Sequence, residues 1–284
     1  MEENEREGRQ QQAGKPKLTE QEQKDVEERS APRTEVVYEA IREEGEGELK
    51  RSSAALAWDG LAAGLSMGFS LVAEGLLRSH LPDAGWRPLV AKLGYCVGFL
   101  IIVLGRHQLF TENTLTAVLP FLQRMSGSAL AQVLRLWVVV LAANFVGALL
   151  FALVLARTEL FEPHVREAFT EIGREALASW WGLTFLKGVF AGWLIAMMVW
   201  MLPASESARF FVVVVMTYVV ALGKFAHIIA GSVDTLYLVW AGEAGVADYL
   251  GWMLPTLAGN IVGGTTLVAA LGHAQVAQEA RKSV

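Results

Sequence analysis

Cysteine occurs once in the 284 residues, at Cys96. That excludes an intrachain disulfide framework and any metal site built from several cysteines. Charge is scarce as well, since Asp, Glu, Lys and Arg make up only 19% of the chain. No basic run exists that would make nucleic acid a partner. Residues 1–33 (MEENEREGRQQQAGKPKLTEQEQKDVEERSAPR) nearly lack large apolar side chains. They bury too little surface to offset the entropy of ordering, so composition predicts a disordered acidic leader. The leader also lacks the apolar core of a secretory signal. The first 53 residues hold 10 Lys/Arg against 15 Asp/Glu, whereas the remaining 231 carry 14 of each. With 53% hydrophobic residues overall, the neutral body excludes an ordinary soluble globule and reads as an integral membrane protein.

From Thr34 to Leu49, Val36, Val37, Ala40 and Ile41 recur at helical spacing among Glu and Arg. Over 34–53 this predicts an amphipathic helix on the membrane surface or against a neighbouring subunit. A solvated helix fading at Gly45 and Gly47 is the alternative. A helix needs about 20 apolar residues to cross about 30 Å of hydrocarbon. Ala54–Leu77, Ala129–Ala156, Trp180–Leu202 and Tyr249–Leu271 meet that length. Two other regions are interrupted: Leu89–Leu104 stops at Gly105-Arg106-His107-Gln108 and resumes at Thr114–Leu122, and Phe210–Leu222 stops at Gly223-Lys224 and resumes at Val233–Trp240. Each interrupted pair sums to one span. The expected fold is therefore an all-α polytopic membrane domain over 54–275 with six crossings, the second and fifth broken, and a short polar tail at 276–284. Trp58, Trp180, Trp181, Trp240 and Trp252 near span ends fit interfacial belts. Six crossings put both termini on one side. An acidic leader without an export signal places that side in the cytoplasm of a bacterial inner membrane protein.

The two halves resemble each other in order. DGLAAG (59–64) parallels KGVFAG (187–192), LGR (104–106) parallels LGK (222–224), NTLTAV (113–118) parallels DTLYLV (234–239), and NFVG (144–147) parallels NIVG (260–263). Three crossings per half is odd, so the second copy enters from the opposite face. In such inverted repeats the interrupted helices meet near the midplane and build the binding or permeation site. Broken backbone at that depth is tolerated only where protein buries it or where it lines a polar pathway. Asn113 and Asp234 precede Thr-Leu in matching positions and are read as N-caps of the second half-helices, with direct substrate contact as the alternative. The amide-rich starts of those half-helices favour an anion.

These residues resemble the formate/nitrite transporter family. GRHQLFTENTL (105–115) is similar to the family's Leu-Phe-Thr motif, KFAHIIAGSVDTL (224–236) to its central-histidine segment, and GNIVGGTTLV (259–268) to its last-helix motif. The resemblance covers roughly 35–275. It implies an aquaporin-like protomer, a homopentamer with one pore per subunit, no cofactor, no enzymatic activity, and passage of small monovalent anions or their acids. Carried over by position, Leu109, Phe110 and Thr111 belong to a flexible loop and one constriction. Tyr95, Phe99 and Val220 fall at the other constriction, and His227 is the central histidine. Asn144 and Asn260 are structural. The chain departs from the family at two asparagine pore positions, here Gly192 and Gly231, at Ala226 in place of a glutamate, and at Lys224 in place of a small residue.

Moving a bare anion through an apolar constriction is costly unless a positive charge or a proton accompanies it. Histidine can supply either. His227 is therefore expected to attract the anion and donate a proton, with Thr111 as its hydroxyl partner. Arg106 and Lys224 hold matching positions and would place positive potential on the two approaches, cap the preceding half-helices, or do both. Glu112, odd in an anion pathway, would pair with one of them. Lys187 is expected to face the pore or a neighbouring subunit, Asp59 to remain unpaired with it, and Glu74 to reach water. A neutral-solute channel lacks its paired Asn-Pro-Ala boxes, and an intramembrane serine protease lacks a suitable Gly-x-Ser-x context. A non-conducting assembly protein stays open because of the missing asparagines.

Overall fold

The computed structural model describes residues 19, 21–22, 32–270, 272 and 274. Residues 1–33 and 34–284 form two separate units. In the first, the Thr19 amide and hydroxyl both donate to Glu22 Oε2 at 2.8 Å. The rest of the expected leader, and the tail at 276–284, lie outside the described residues.

The described residues of the second unit form helices joined by turns and short loops, with no strand among them. It opens with α1 (Thr34–Lys50). Next come α2 (Ser53–His80), α3 (Arg87–Leu104, with a 3₁₀ turn at Lys92–Tyr95), and the short α4 (Phe110–Thr116) and α5 (Val118–Arg124). After them run α6 (Gly127–Arg157), α7 (Pro163–Leu177) and α8 (Trp181–Met201). The chain continues through α9 (Arg209–Leu222), α10 (Ile228–Ala241) and α11 (Val246–Val262), whose last turns widen to π geometry over Gly263–Ala270. Among the described residues, four stretches are long and apolar enough to cross a membrane: Ser53–His80, Arg87–Leu104, Gly127–Arg157 and Trp181–Ala204. Trp58, Trp180 and Trp181 are exposed as expected of belt residues, but Trp252 is buried in the core.

The expected surface role of α1 is corrected. Its apolar face, with Val37, Tyr38, Ile41 and Leu49, is buried within the chain. The helix runs through both glycines, and a Cβ on Gly45 would lie 2.0 Å from the Thr116 carbonyl oxygen. Arg135 donates to Leu49 O at 2.8 Å and to Arg51 O at 3.0 Å, satisfying carbonyls that a helix end leaves open. Asp59 bonds Arg51 rather than Lys187. The connection between α6 and α8 also differs from a plain loop. It contains α7, which starts on Pro163, a residue suited to a first helical turn, and buries Val165, Ala168, Phe169 and Ile172 against α2 and α10.

Two crossings dominate the packing, α2 on α6 and α8 on α11. A Cβ on Gly64 would sit 2.2 Å from Asn144 O, and one on Gly192 would sit 2.3 Å from Asn260 O. Small residues let backbones approach this closely in membrane bundles. Gly192 is thus a packing position.

Both breaks use one backbone device. After α3, Arg106 adopts φ 54° and the His107 amide donates to Ile102 O at 3.0 Å. After α9, Lys224 adopts φ 50° and the Phe225 amide donates to Val220 O at 3.0 Å. This is the left-handed helix stop usually given to glycine. The following half-helices are capped from a distance. Asn144 Oδ1 accepts from the Phe110 amide at 2.9 Å, while its Nδ2 donates to Gly60 O at 2.7 Å and Gln108 O at 2.9 Å. Asn260 repeats the set, accepting from Ile228 N at 2.9 Å and donating to Gly188 O at 2.9 Å and Ala226 O at 2.8 Å. The N-cap positions are therefore Leu109 and His227. Asn113 and Asp234 sit one turn or more inside their helices and do not cap them. The hydrogen bonds match Phe110 to Ile228, so NTLTAV and DTLYLV are out of register by one turn and Asn113 corresponds to Gly231.

Candidate functional site

His227 owes its place to the second break. The left-handed turn at Lys224 ends α9, and Asn260 seats Ile228 as the first residue of α10. The ring of His227, 1% exposed, then folds back over its own helix, where Nδ1 accepts from the Ala230 amide at 3.2 Å. Because Nδ1 accepts, the proton of the neutral ring resides on Nε2. That atom lies 2.8 Å from Thr111 Oγ1, on the first turn of α4. The side chains after the two breaks thus meet directly. Phe99 covers the ring edge-on at 4.9 Å between centroids, and Tyr95 lies 5.3 Å from Phe99.

A cavity of about 60 Å³ approaches His227 from the side of α7. That is room for a few water-sized atoms. Of the residues singled out from sequence, Tyr95, Lys187, Val220, Lys224, His227, Gly231 and Asp234 form its walls. Thr111 and Phe99 join it through their contacts with the imidazole. Leu109 and Phe110 are fully buried at the start of α4, and neither is a wall of the cavity; the same holds for Arg106, Gly192, Glu112 and Asn113. Gly231 is small because Trp252 fills the adjoining space: a Cβ there would lie 2.4 Å from the indole.

Three charged wall residues, Glu74, Lys92 and Glu175, escaped sequence reasoning in this role. Glu74 is buried rather than hydrated and pairs with Lys92 at 2.5 Å. Glu175 of α7 accepts from Arg78 at 2.7 Å and lies 3.2 Å from Lys224 and 3.9 Å from Lys92. Burial pushes the Glu175 carboxyl up, but the Arg78 hydrogen bond and the charges of Lys92, Arg78 and Lys224 hold it below the usual glutamate value. Lys187 donates to Ser179 Oγ at 2.8 Å. A cue for Glu74 was present, since an ionisable residue inside an apolar span is a functional candidate by default. Glu175 had no such cue, because α7 lies between two of the apolar runs rather than in one.

The electrostatic expectations change accordingly. Among the described residues, Glu112 pairs with neither Arg106 nor Lys224; its Oε1 is buried without a hydrogen-bond partner, and Lys224 is engaged by Glu175. Several first-turn amides of the half-helices are already engaged. Phe110 and Ile228 donate to asparagines, and Ala230 donates to the imidazole. Between the two breaks a hydroxyl and an Nε2–H meet beside Phe99 and Tyr95. Among the described residues, no cluster of His, Cys, Asp or Glu could hold a metal.

A family model described as formate/nitrite transporter matches residues 35–274. The chain is 43% identical over 252 residues to the inner membrane protein YfdC of Escherichia coli (strain K12), covering 88% of this chain and 81% of that protein. It is 25% identical to the formate channel BtFdhC of Bacillus thuringiensis, covering 82% and 92%. Among solved structures, an FNT family ion channel superposes with a TM-score of 0.74 at 16% identity over 84% of this chain and 98% of the other. A pentameric formate channel with formate bound gives 0.66 at 19% identity over 77% and 95%.

Proposed function

Because this chain belongs to the formate/nitrite transporter family, whose members are membrane channels and transporters rather than enzymes, we propose that it passes formate or a similar small monovalent anion, together with a proton, at His227. The observation that carries this reading is the 2.8 Å contact between Thr111 Oγ1 and His227 Nε2 at the inner end of the cavity. The two half-helix starts are joined there by groups that a carboxylate or its acid can displace and rebind.

In this reading α2, α3 with α4 and α5, α6, α8, α9 with α10, and α11 make six crossings. The halves are inverted copies, which the repeated asparagine sets support. Both termini face the cytoplasm, and the protomers assemble as a homopentamer, as the name of one structural relative suggests for that protein. The ring acts chiefly as a hydrogen-bond donor. Charging it requires a proton on Nδ1, which gives up the Ala230 bond and puts a cation at a helix N-terminus, both unfavourable. A bare anion pays many kcal/mol to enter the site beside Phe99 and Tyr95, so the solute crosses as the acid, carrying its proton from solution while Nε2–H and the Thr111 hydroxyl bridge it.

Proteoliposomes containing a pH-reporting dye test this. An inward formate gradient should acidify the lumen, and Thr111→Val and His227→Asn should each slow that acidification by at least about tenfold. Passage of glycerol or water alone, or unchanged flux in both variants, would overturn it.

A further inference from the structure

The cavity leading to His227 carries three ammonium groups, Lys92, Lys187 and Lys224, and three carboxylates, Glu74, Glu175 and Asp234. A cleft lined by charge of one sign concentrates counter-ions and can raise their arrival by 10–10³-fold. This one mixes acidic with basic side chains, and two of its ammonium groups are bound to carboxylates. Glu175 is the pivot. Its Oε2 lies 3.2 Å from the Lys224 ammonium and 3.9 Å from that of Lys92. Lys92 also pairs with buried Glu74.

The groups facing Glu175 come from every neighbouring element. α2 brings Arg78 and Glu74, the 3₁₀ turn of α3 brings Lys92, the break after α9 brings Lys224, α10 brings Asp234, and α7 itself adds Glu171. Arg78 reaches both Glu171, at 2.8 Å, and Glu175, at 2.7 Å. The carboxylate is therefore anchored as well as attracted. The packing of α7 on α2 and α10 holds it at the cavity wall.

We propose that Glu175 is a specificity-determining residue that silences Lys92 and Lys224, so that this face of the pore admits the neutral acid of a small monovalent anion in preference to the anion itself. The inference rests on the permeation reading above. It adds that Lys92 and Lys224 do not collect anions while Glu175 is ionised.

The test uses the full chain in proteoliposomes, with formate influx measured across neutral and mildly acidic pH at low and near-physiological ionic strength. Wild-type influx should follow the concentration of formic acid and respond weakly to salt. Glu175→Gln should raise influx at neutral pH by about tenfold at low salt, mainly through a lower KM, with the gain shrinking as salt is added. Because Glu175→Gln could also loosen α7, the double variant Glu175→Gln/Lys224→Gln serves as the control. It should return influx to within about twofold of wild type if charge is the cause. An unchanged KM and salt response in Glu175→Gln would overturn the proposal. So would equal, salt-insensitive gains in the single and double variants, which would identify a loosened helix. If the wild type passes none of formate, nitrite or acetate, the permeation reading falls and takes this inference with it. An active wild type with an indifferent Glu175→Gln sinks the inference alone.

Discussion

Asn144 and Asn260, on different helices, make the same set of three hydrogen bonds. Each accepts the first amide of a half-helix, Phe110 or Ile228, at 2.9 Å. Each donates to a glycine carbonyl on a crossing helix and to the loop carbonyl two residues before the amide it accepts. One buried carboxamide thereby satisfies three backbone groups that a break would otherwise leave unpaired at depth.

Asn260→Ala and Asn144→Ala should therefore each destabilise the folded chain by about 2–4 kcal/mol, the lost bonds and the stranded carbonyls acting together. Thermal unfolding of the detergent-solubilised protein measures this. Asn260→Asp should be no milder, since a carboxylate cannot donate to Gly188 O and Ala226 O.

Restoring asparagine at the two glycines should not behave symmetrically. Gly192→Asn forces a side chain into the Asn260 backbone, where a Cβ already meets the carbonyl at 2.3 Å. The expected result is loss of folded protein with no gain in flux. Gly231→Asn collides with the Trp252 indole instead, and pairing it with Trp252→Ala should recover folded protein. Yield and monodispersity on size exclusion separate the two cases.

Arg106→Gly should stabilise. The position holds φ 54°, which costs a residue with a Cβ about 1 kcal/mol that glycine does not incur. Lys224→Gly gains the same relief but surrenders the contact with Glu175, so its net gain should be smaller. Parallel unfolding curves of the two variants show the difference.

Acid should release α7. Glu175 is held below the usual carboxyl value near 4.3. Its contribution is complete above that value and disappears as pH falls through the lowered one, because the unfolded chain takes up the proton first. Protease nicking of the connection around α7, followed from about pH 6 to about pH 3, should rise in wild type. Glu175→Gln should be nicked more readily near pH 6, converge on wild type at the acid end, and show a flatter profile.

Much of this architecture was legible because it is written locally. Long apolar runs mark the main helices, and Gly105-Arg106 and Gly223-Lys224 interrupt them where both chain breaks occur. The twin Asn-x-Val-Gly motifs matched Asn144 to Asn260, and the family resemblance read both as structural, although their three-bond role was not visible. The caps were misread because Asn113 and Asp234 carry the usual capping chemistry. The helices start earlier, where a carboxamide from another helix takes the first amide and makes a local cap unnecessary.

Hydropathy and backbone stereochemistry along the chain determined which segments are helical and where two of them break, since both act over a few residues. Only the tertiary structure decided what those breaks enclose. Glu74, Lys92, Glu175 and Lys224 lie on four separate segments, and whether their charges attract a solute or cancel one another depends on distances of 2.5–3.9 Å between segments. Coulomb energy at such separations is set by packing, which no local pattern of residues encodes.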